Sequence, residues 1–224
     1  MRETTIKSVS DGVRLDGDVE GTPWSEANRI DVDQFNWHRD GPKPSLTARI
    51  LYDDDALYLQ FHVEDHNISS LVTDLNGPTY RDSSVELFAD PNPNEDSRYF
   101  NFEANCCGYF KLAWQETGWQ ERDIGRDLVP ASVAERVRVE TSIEGPTREP
   151  RDDDEGWWLA AALPFSVLRS LTGIDIDPNS DSVWRANVYR SGVPSDEQKA
   201  TWNPMPTEVP AYHSPTYFGR FTFD

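Results

Sequence analysis

Between Ala56 and Glu64 the side chains alternate without a break, Leu57, Leu59, Phe61 and Val63 against Tyr58, Gln60, His62 and Glu64. Successive side chains of a strand point to opposite faces, so this period specifies a two-faced β-strand and is incompatible with an amphipathic helix. Leu46–Tyr52 reads as a second strand, and Asp53-Asp54-Asp55 between the two is turn composition, so the pair reads as a hairpin. A lone hairpin is marginal in water and needs further strands to cover its apolar face. The chain supplies them: residues 83–89, 99–105, 109–115, 133–143, 157–163, 183–190 and 217–223 all carry strand patterns, separated by Gly, Pro and Asp. Residues 165–171, following Pro164, form the one convincing helix.

This order implies an all-β chain, an antiparallel β-sandwich of jelly-roll or immunoglobulin-like type with one short helix. A length of 224 residues suits one such domain spanning 1–224, with its core over about 15–223. The polar stretch 144–155 reads as a mobile insertion inside that domain, because strands resume after it.

Charge narrows the function classes. Forty acidic residues stand against 21 basic ones, a net charge of −19, and no Lys/Arg cluster is present to neutralise phosphates, so nucleic acid is not an expected partner. Only four of the basic residues are lysines, an acidic and Lys-poor balance that suits either a salt-adapted (halophilic) source or a generic acidic soluble protein. No apolar run approaches a membrane span, and the stretch after Met1 lacks the apolar region of a leader. Cys106 and Cys107 are adjacent, where a disulfide would be strained, so two reduced thiols are expected. Together these features favour a cytoplasmic location unless a leader has been removed.

The stretch from Tyr80 to Pro91 places Val85, Leu87 and Ala89 on one face of a strand and Ser84, Glu86 and Phe88 on the other. Glu86 is then either on a solvated face or aimed at a ligand, and the period alone leaves both open. Glu103 sits on the next strand and shares a face with Asn101 and Asn105. Paired carboxylates of this kind would serve a glycosidase if they flanked a cleft, but they also arise on any acidic surface. No nucleophile elbow, phosphate loop or dinucleotide fingerprint occurs, so the chain does not read as an enzyme.

Metal chemistry has little support. His62 and His66 are too far apart along an extended strand to chelate one ion, and Asp65 lies between them. Asp53-Asp54-Asp55 and Asp152-Asp153-Asp154 offer hard oxygen ligands without the pattern of a calcium loop, so structural calcium is a minor reading and solvated turns the main one. No other cofactor is expected.

The aromatic residues are more informative. Flat rings stack on the C–H faces of sugars, while carboxylates, amides and guanidinium groups hydrogen-bond the hydroxyls. Trp37, Tyr80, Trp119, Trp202 and Tyr212 fall outside clean strand cores, whereas Trp114, Trp158 and Trp184 read as core.

Three blocks carry a resemblance. The first is Ala48-Arg49-Ile50-Leu51-Tyr52-Asp53-Asp54-Asp55-Ala56-Leu57-Tyr58-Leu59. The second is Asp82-Ser83-Ser84-Val85-Glu86-Leu87-Phe88-Ala89-Asp90 followed by Tyr99-Phe100-Asn101-Phe102-Glu103-Ala104-Asn105. The third runs through Trp184-Arg185-Ala186-Asn187-Val188-Tyr189-Arg190, Trp202-Asn203-Pro204, His213-Ser214-Pro215 and Phe218-Gly219. In this order and spacing they resemble a family 9 carbohydrate-binding module, one of the DOMON-like β-sandwiches. The resemblance implies non-catalytic binding of a mono- or oligosaccharide, or of a polysaccharide end, between two aromatic rings. Tyr80 and Tyr212 take the clamp positions, where sugar-binding members have tryptophans. Glu86 and Asn101 fall at hydrogen-bonding positions, and Glu103 stands where a ligand-binding arginine is found. Arg190, Trp202 and His213 are implied as flanking contacts. The competing readings are an interaction module of the same fold that has lost its sugar, and a haem-binding relative, for which this chain has few axial-ligand candidates.

Overall fold

A computed structural model describes residues 1–10, 12–41, 43–94, 97–192 and 199–224. Glu95 and Asp96, part of the turn expected after Pro91, lie outside them. The hairpin forms over the residues read from the sequence, β3 (Leu46–Tyr52) and β4 (Ala56–Glu64) of the thirteen strands among the described residues, numbered in chain order, in antiparallel register from Leu46↔Val63 to Tyr52↔Leu57. The Asp triad closes it as a turn. Asp53 Oδ1 accepts the N–H groups of Asp55 and Ala56 at 2.9 Å, and its Oδ2 accepts the Tyr58 hydroxyl at 2.7 Å.

Before the hairpin lie β1 (Glu3–Ser8) and β2 (Ile30–Asp31). After it come β5 (Ser84–Asp90), β6 (Arg98–Asn105), β7 (Phe110–Glu116), β8 (Asp127–Leu128), β9 (Arg138–Thr141), β10 (Gly156–Pro164), β11 (Val183–Ser191), β12 (Ala200–Thr201) and β13 (Gly219–Phe223). They pair in the order β8-β7-β6-β5-β11-β13-β1-β3-β4-β10-β9, with β12 on β11 and β2 on β3. The first half of β1 pairs with β13 and the second half with β3, so one strand joins the two arms of the sheet. Both of its pairings are parallel, which modifies the all-antiparallel expectation. The inner faces of the two arms enclose one apolar core that includes Leu59, Phe61 and Leu159 from one arm and Val85, Leu87, Phe102 and Val188 from the other.

Two further expectations are corrected. Residues 133–143 are not one strand. Ala131–Ala134 turns as a short helix, α1, after Pro130, and only Arg138–Thr141 is extended. Among the described residues there are therefore two α-helices, the second being α2 (Phe165–Thr172), which ends at Gly173 with φ 71° in the left-handed conformation that glycine adopts freely. On β10 the period puts Trp157 inward with Leu159, Ala161 and Leu163, so Trp158, expected in the core, faces outward over Gly17.

The outer face of β4 is covered as well. Gln60 Nε2 donates to the Asp16 and Asp18 carbonyls, and His62 Nε2 lies 2.9 Å from that of Gly17. Tyr58 packs beneath Val13 and Trp24. The stretch 144–155, expected to be mobile, is tied down. Asp154 is buried, pairs with Arg148, and accepts the backbone N–H groups of Ile68 and Arg151 at 3.0 and 2.9 Å.

Trp202 lies in this core rather than in a site. It packs on Phe221 with ring centroids 5.4 Å apart, and its ring lies over Gly219, where an added Cβ would meet Trp202 carbon at 2.4 Å and the Arg2 carbonyl at 2.9 Å. Gly219→Ala is expected to push this indole aside at a cost of about 1–3 kcal/mol, read as a lower denaturation midpoint with no change in the m-value.

Candidate functional site

The outer face of β7, β6, β5 and β11 carries the polar residues, because the inner positions of those strands are filled by the core. The registers align Lys111 with Glu103, Glu103 with Glu86, and Glu86 with Tyr189, a single row across four strands. Side chains directly opposite in a sheet are in contact, and like charges there are unfavourable. The row relieves this in two ways. Glu103, buried, is paired with the buried Lys111 at 3.3 Å through Oε2, and its Oε1 accepts from Asn101 Nδ2. Glu86 is also buried and accepts the Ser191 hydroxyl at 2.7 Å. Burial first, and the neighbouring Glu103 carboxylate second, push the Glu86 carboxyl up to about 8, so it holds a proton at neutral pH.

The walls above this row are aromatic. Tyr80 sits on a 3-10 turn, Thr79–Arg81, and is 45% exposed. The turn is positioned by Asp82, whose buried carboxylate accepts the N–H groups of Leu71 and Val72 and the Asn105 amide. The first Asp of the Asp-Ser-Ser-Val-Glu block is therefore a scaffold residue. Tyr212 forms the facing wall, stacked on Tyr189 with centroids 4.3 Å apart and planes 18° apart, its hydroxyl donating to the Arg190 carbonyl at 2.6 Å. A buried aromatic cluster of Phe88, Tyr99, Tyr189 and Phe218 supports it. His213 lies 4.9 Å from Phe88 and edge-on to Trp119 at 5.4 Å, with Nδ1 2.9 Å from the Tyr99 hydroxyl. Burial, then the charges of Arg126 and Lys111, lower its pKa to about 3, so the imidazole is neutral. Arg126 lies over the Trp119 ring at 4.5 Å.

Together these residues line a cleft of about 400 Å³, within the range of small-molecule sites. It brings together Tyr80, Glu86, Glu103, Tyr212 and His213 from the sequence-derived set. Three others are corrected. Asn101 is fully buried beneath the cleft, where it holds Glu103 rather than lining the wall. Trp202 is a core residue, as described above. Arg190 contributes its carbonyl to Tyr212, but its guanidinium points inward to Asp65 at 3.3 Å, because Tyr189 and Ser191 occupy the outer positions of β11.

Lys111, Arg126 and Lys199 also line the cleft but were not singled out from the sequence. Lys111 was within reach of sequence reasoning, being the one cation between the inward-facing Phe110 and Leu112 on the strand after Glu103. Among the described residues no group of three or more His, Cys, Asp or Glu side chains is gathered to hold a metal ion.

The model for carbohydrate-binding family 9 matches residues 24–223. No curated protein matches the chain. Among solved structures, a candidate carbohydrate-binding protein of Bacteroides uniformis superposes with a TM-score of 0.83 at 23% identity, covering 100% of this chain and 99% of that one. A family 9 carbohydrate-binding module of Caldicellulosiruptor kristjanssonii, solved with cellotriose, gives 0.64 at 15% identity, covering 99% and 93%. The glucose complex from the same organism gives 0.62 at 14%, covering 100% and 96%. At these identities the structural likenesses establish a shared fold, and the family match spans nearly the whole sequence: the chain belongs to carbohydrate-binding family 9.

Proposed function

We propose that the cleft binds carbohydrate without cleaving it, a sugar ring lying against Tyr80 and Tyr212 while Glu86, Glu103 and their neighbours hydrogen-bond its hydroxyls. The observation that carries this reading is two partly exposed tyrosines flanking a buried polar row in one cleft. Aromatic faces complement the C–H faces of pyranoses, and protonated Glu86 offers both a donor and an acceptor. The family 9 modules solved with cellotriose and with glucose support the assignment.

The arrangement argues against hydrolysis. A glycosidase needs one carboxyl to donate a proton and a second carboxylate free to attack or to activate water. Both oxygens of Glu103 are already engaged, by Asn101 and Lys111.

Tyr80→Ala is expected to weaken sugar binding by about five- to 150-fold in calorimetry, since a stacked ring is worth about 1–3 kcal/mol, while leaving the melting temperature nearly unchanged because the ring is 45% exposed and outside the core. Undiminished binding in that variant would sink the stacking assignment. Reducing-sugar release that disappears in Glu103→Gln would sink the non-catalytic one. The competing reading, a module that kept the fold and lost the sugar, draws on the commitment of Tyr212 to Tyr189. A glycan screen without hits at millimolar concentration would favour it.

A further inference from the structure

The sequence is poor in cations, with 21 Lys and Arg against 40 Asp and Glu and only four lysines. Two of those lysines, Lys111 and Lys199, line the cleft together with Arg126. Against them stand Glu86 and Glu103, the carboxylate residues among the described lining. Lys111 and Glu103 neutralise each other at 3.3 Å. Among the described residues Arg126 has no carboxylate within the 4.0 Å of an ion pair. Its guanidinium instead lies on the Trp119 face at 4.5 Å, half-buried at the cleft wall. Arg126 is thus a cation at the cleft wall that, among the described residues, no carboxylate pairs with.

Building on the sugar-binding reading above, we propose that the cleft selects a sugar bearing a negative charge, a uronate carboxylate or a sulfate ester, which docks on the Arg126 guanidinium while the ring packs against the aromatic walls. Guanidinium is suited to this. Its planar fork takes carboxylate or sulfate oxygens two at a time, and stacking on Trp119 fixes its orientation in advance. Lys199 adds a second cation to the same cleft. The net charge of −19 opposes an anion only at long range, where salt screens it beyond about 8 Å at physiological ionic strength. Inside the cleft the Arg126 guanidinium is the nearer charge. Neutral Glu86 removes the repulsion that a second carboxylate would add.

The test is calorimetry of the intact protein at pH 6.5 with glucose and cellotriose against glucuronate and glucose 6-sulfate at matched ionic strength. Charge-assisted contacts predict that the anionic sugars bind about tenfold more tightly than glucose, with a preference that shrinks as salt is raised. Preference for glucuronate alone identifies a carboxylate site, and preference for the sulfate alone a sulfate-ester site. Arg126→Gln collapses the anion-to-glucose affinity ratio towards one, and Arg126→Lys, which keeps the charge but loses the fork, retains part of it. Neutral sugars binding as well as or better than both anions would overturn the proposal while leaving the sugar site standing, as would an unchanged ratio in a folded Arg126→Gln. Failure of all four sugars to bind would overturn the sugar site itself and this inference with it.

Discussion

Asp65→Ala is expected to destabilise the protein by about 3–5 kcal/mol, the cost of leaving a buried guanidinium without its counter-charge. Arg190 is 1% exposed and meets Asp65 Oδ2 at 3.3 Å. The same carboxylate oxygen accepts the Trp157 indole N–H, and Oδ1 accepts the Asn67 N–H at 3.0 Å. Arg190 belongs to β11 in one arm of the sheet, whereas Asp65 follows β4 and Trp157 lies on β10 in the other. The pair therefore ties the two arms through the interior, and both groups are buried, so whichever partner is left alone is poorly solvated. For a chain of this size each kcal/mol moves the melting temperature by roughly 2–4 °C, so a fall of order ten degrees in a thermal melt is the expected reading. Buried ion pairs are costly to desolvate and can often be exchanged for apolar side chains of similar volume. Asp65→Leu combined with Arg190→Met should thus recover most of the loss. A single Asp65→Ala variant that melts within a degree or two of the parent would show that the pair contributes little.

The same pair shows where sequence reasoning reached and where it stopped. Period two puts Arg190 with Ala186 and Val188, on the inward side of β11. The resemblance implied Arg190 as a flanking contact of the site, whereas its partner Asp65 sits far away in the sequence, where no local pattern reports it. Trp202 failed for a related reason. The space that its indole fills is made by Gly219, a contact between segments that no local pattern reports. Strand β1 was missed because Glu3-Thr4-Thr5-Ile6-Lys7-Ser8 has one apolar residue, and its pairing with β13 joins the two ends of the chain. By contrast, Val85, Leu87 and Ala89 inside and Glu86 and Phe88 outside followed from period two alone, as did the hairpin of β3 and β4. Local alternation gives the faces. What lies across each face from another segment decides between core and cleft. Tyr80 and Tyr212 came from their place outside the strand cores together with the family resemblance, His213 from the resemblance, and the structure gathers them in one cleft with Glu86.

Glu86 sets the pH dependence expected of this fold. In the unfolded chain its carboxyl titrates near the ordinary value of 4.5, whereas burial and the adjacent Glu103 raise it in the folded chain to about 8. Between those values the folded protein holds a proton that the unfolded protein has released. Raising the pH through this window favours the unfolded state, and the penalty is complete once the pH exceeds the folded value. Each pKa unit corresponds to about 1.4 kcal/mol, so the accumulated loss is of the order of several kcal/mol. His213 acts in the opposite sense lower on the scale. Its folded value, lowered from 6.5 to about 3, costs stability as pH falls below 6.5, so the two slopes oppose one another between 4.5 and 6.5. Denaturation midpoints should therefore decline mainly between about pH 6.5 and 8. Gln is the nearest neutral mimic of a protonated glutamate, keeping one donor and one acceptor at the same reach. Glu86→Gln should accordingly abolish the decline above pH 6.5 and make the variant more stable than the parent at pH 9. It should also keep sugar affinity at pH 7 close to that of the parent, whereas the parent alone loses affinity above pH 8, as a second carboxylate appears beside Glu103. A Glu86→Gln variant that shows the same decline between pH 6.5 and 8 as the parent would place the titrating group elsewhere.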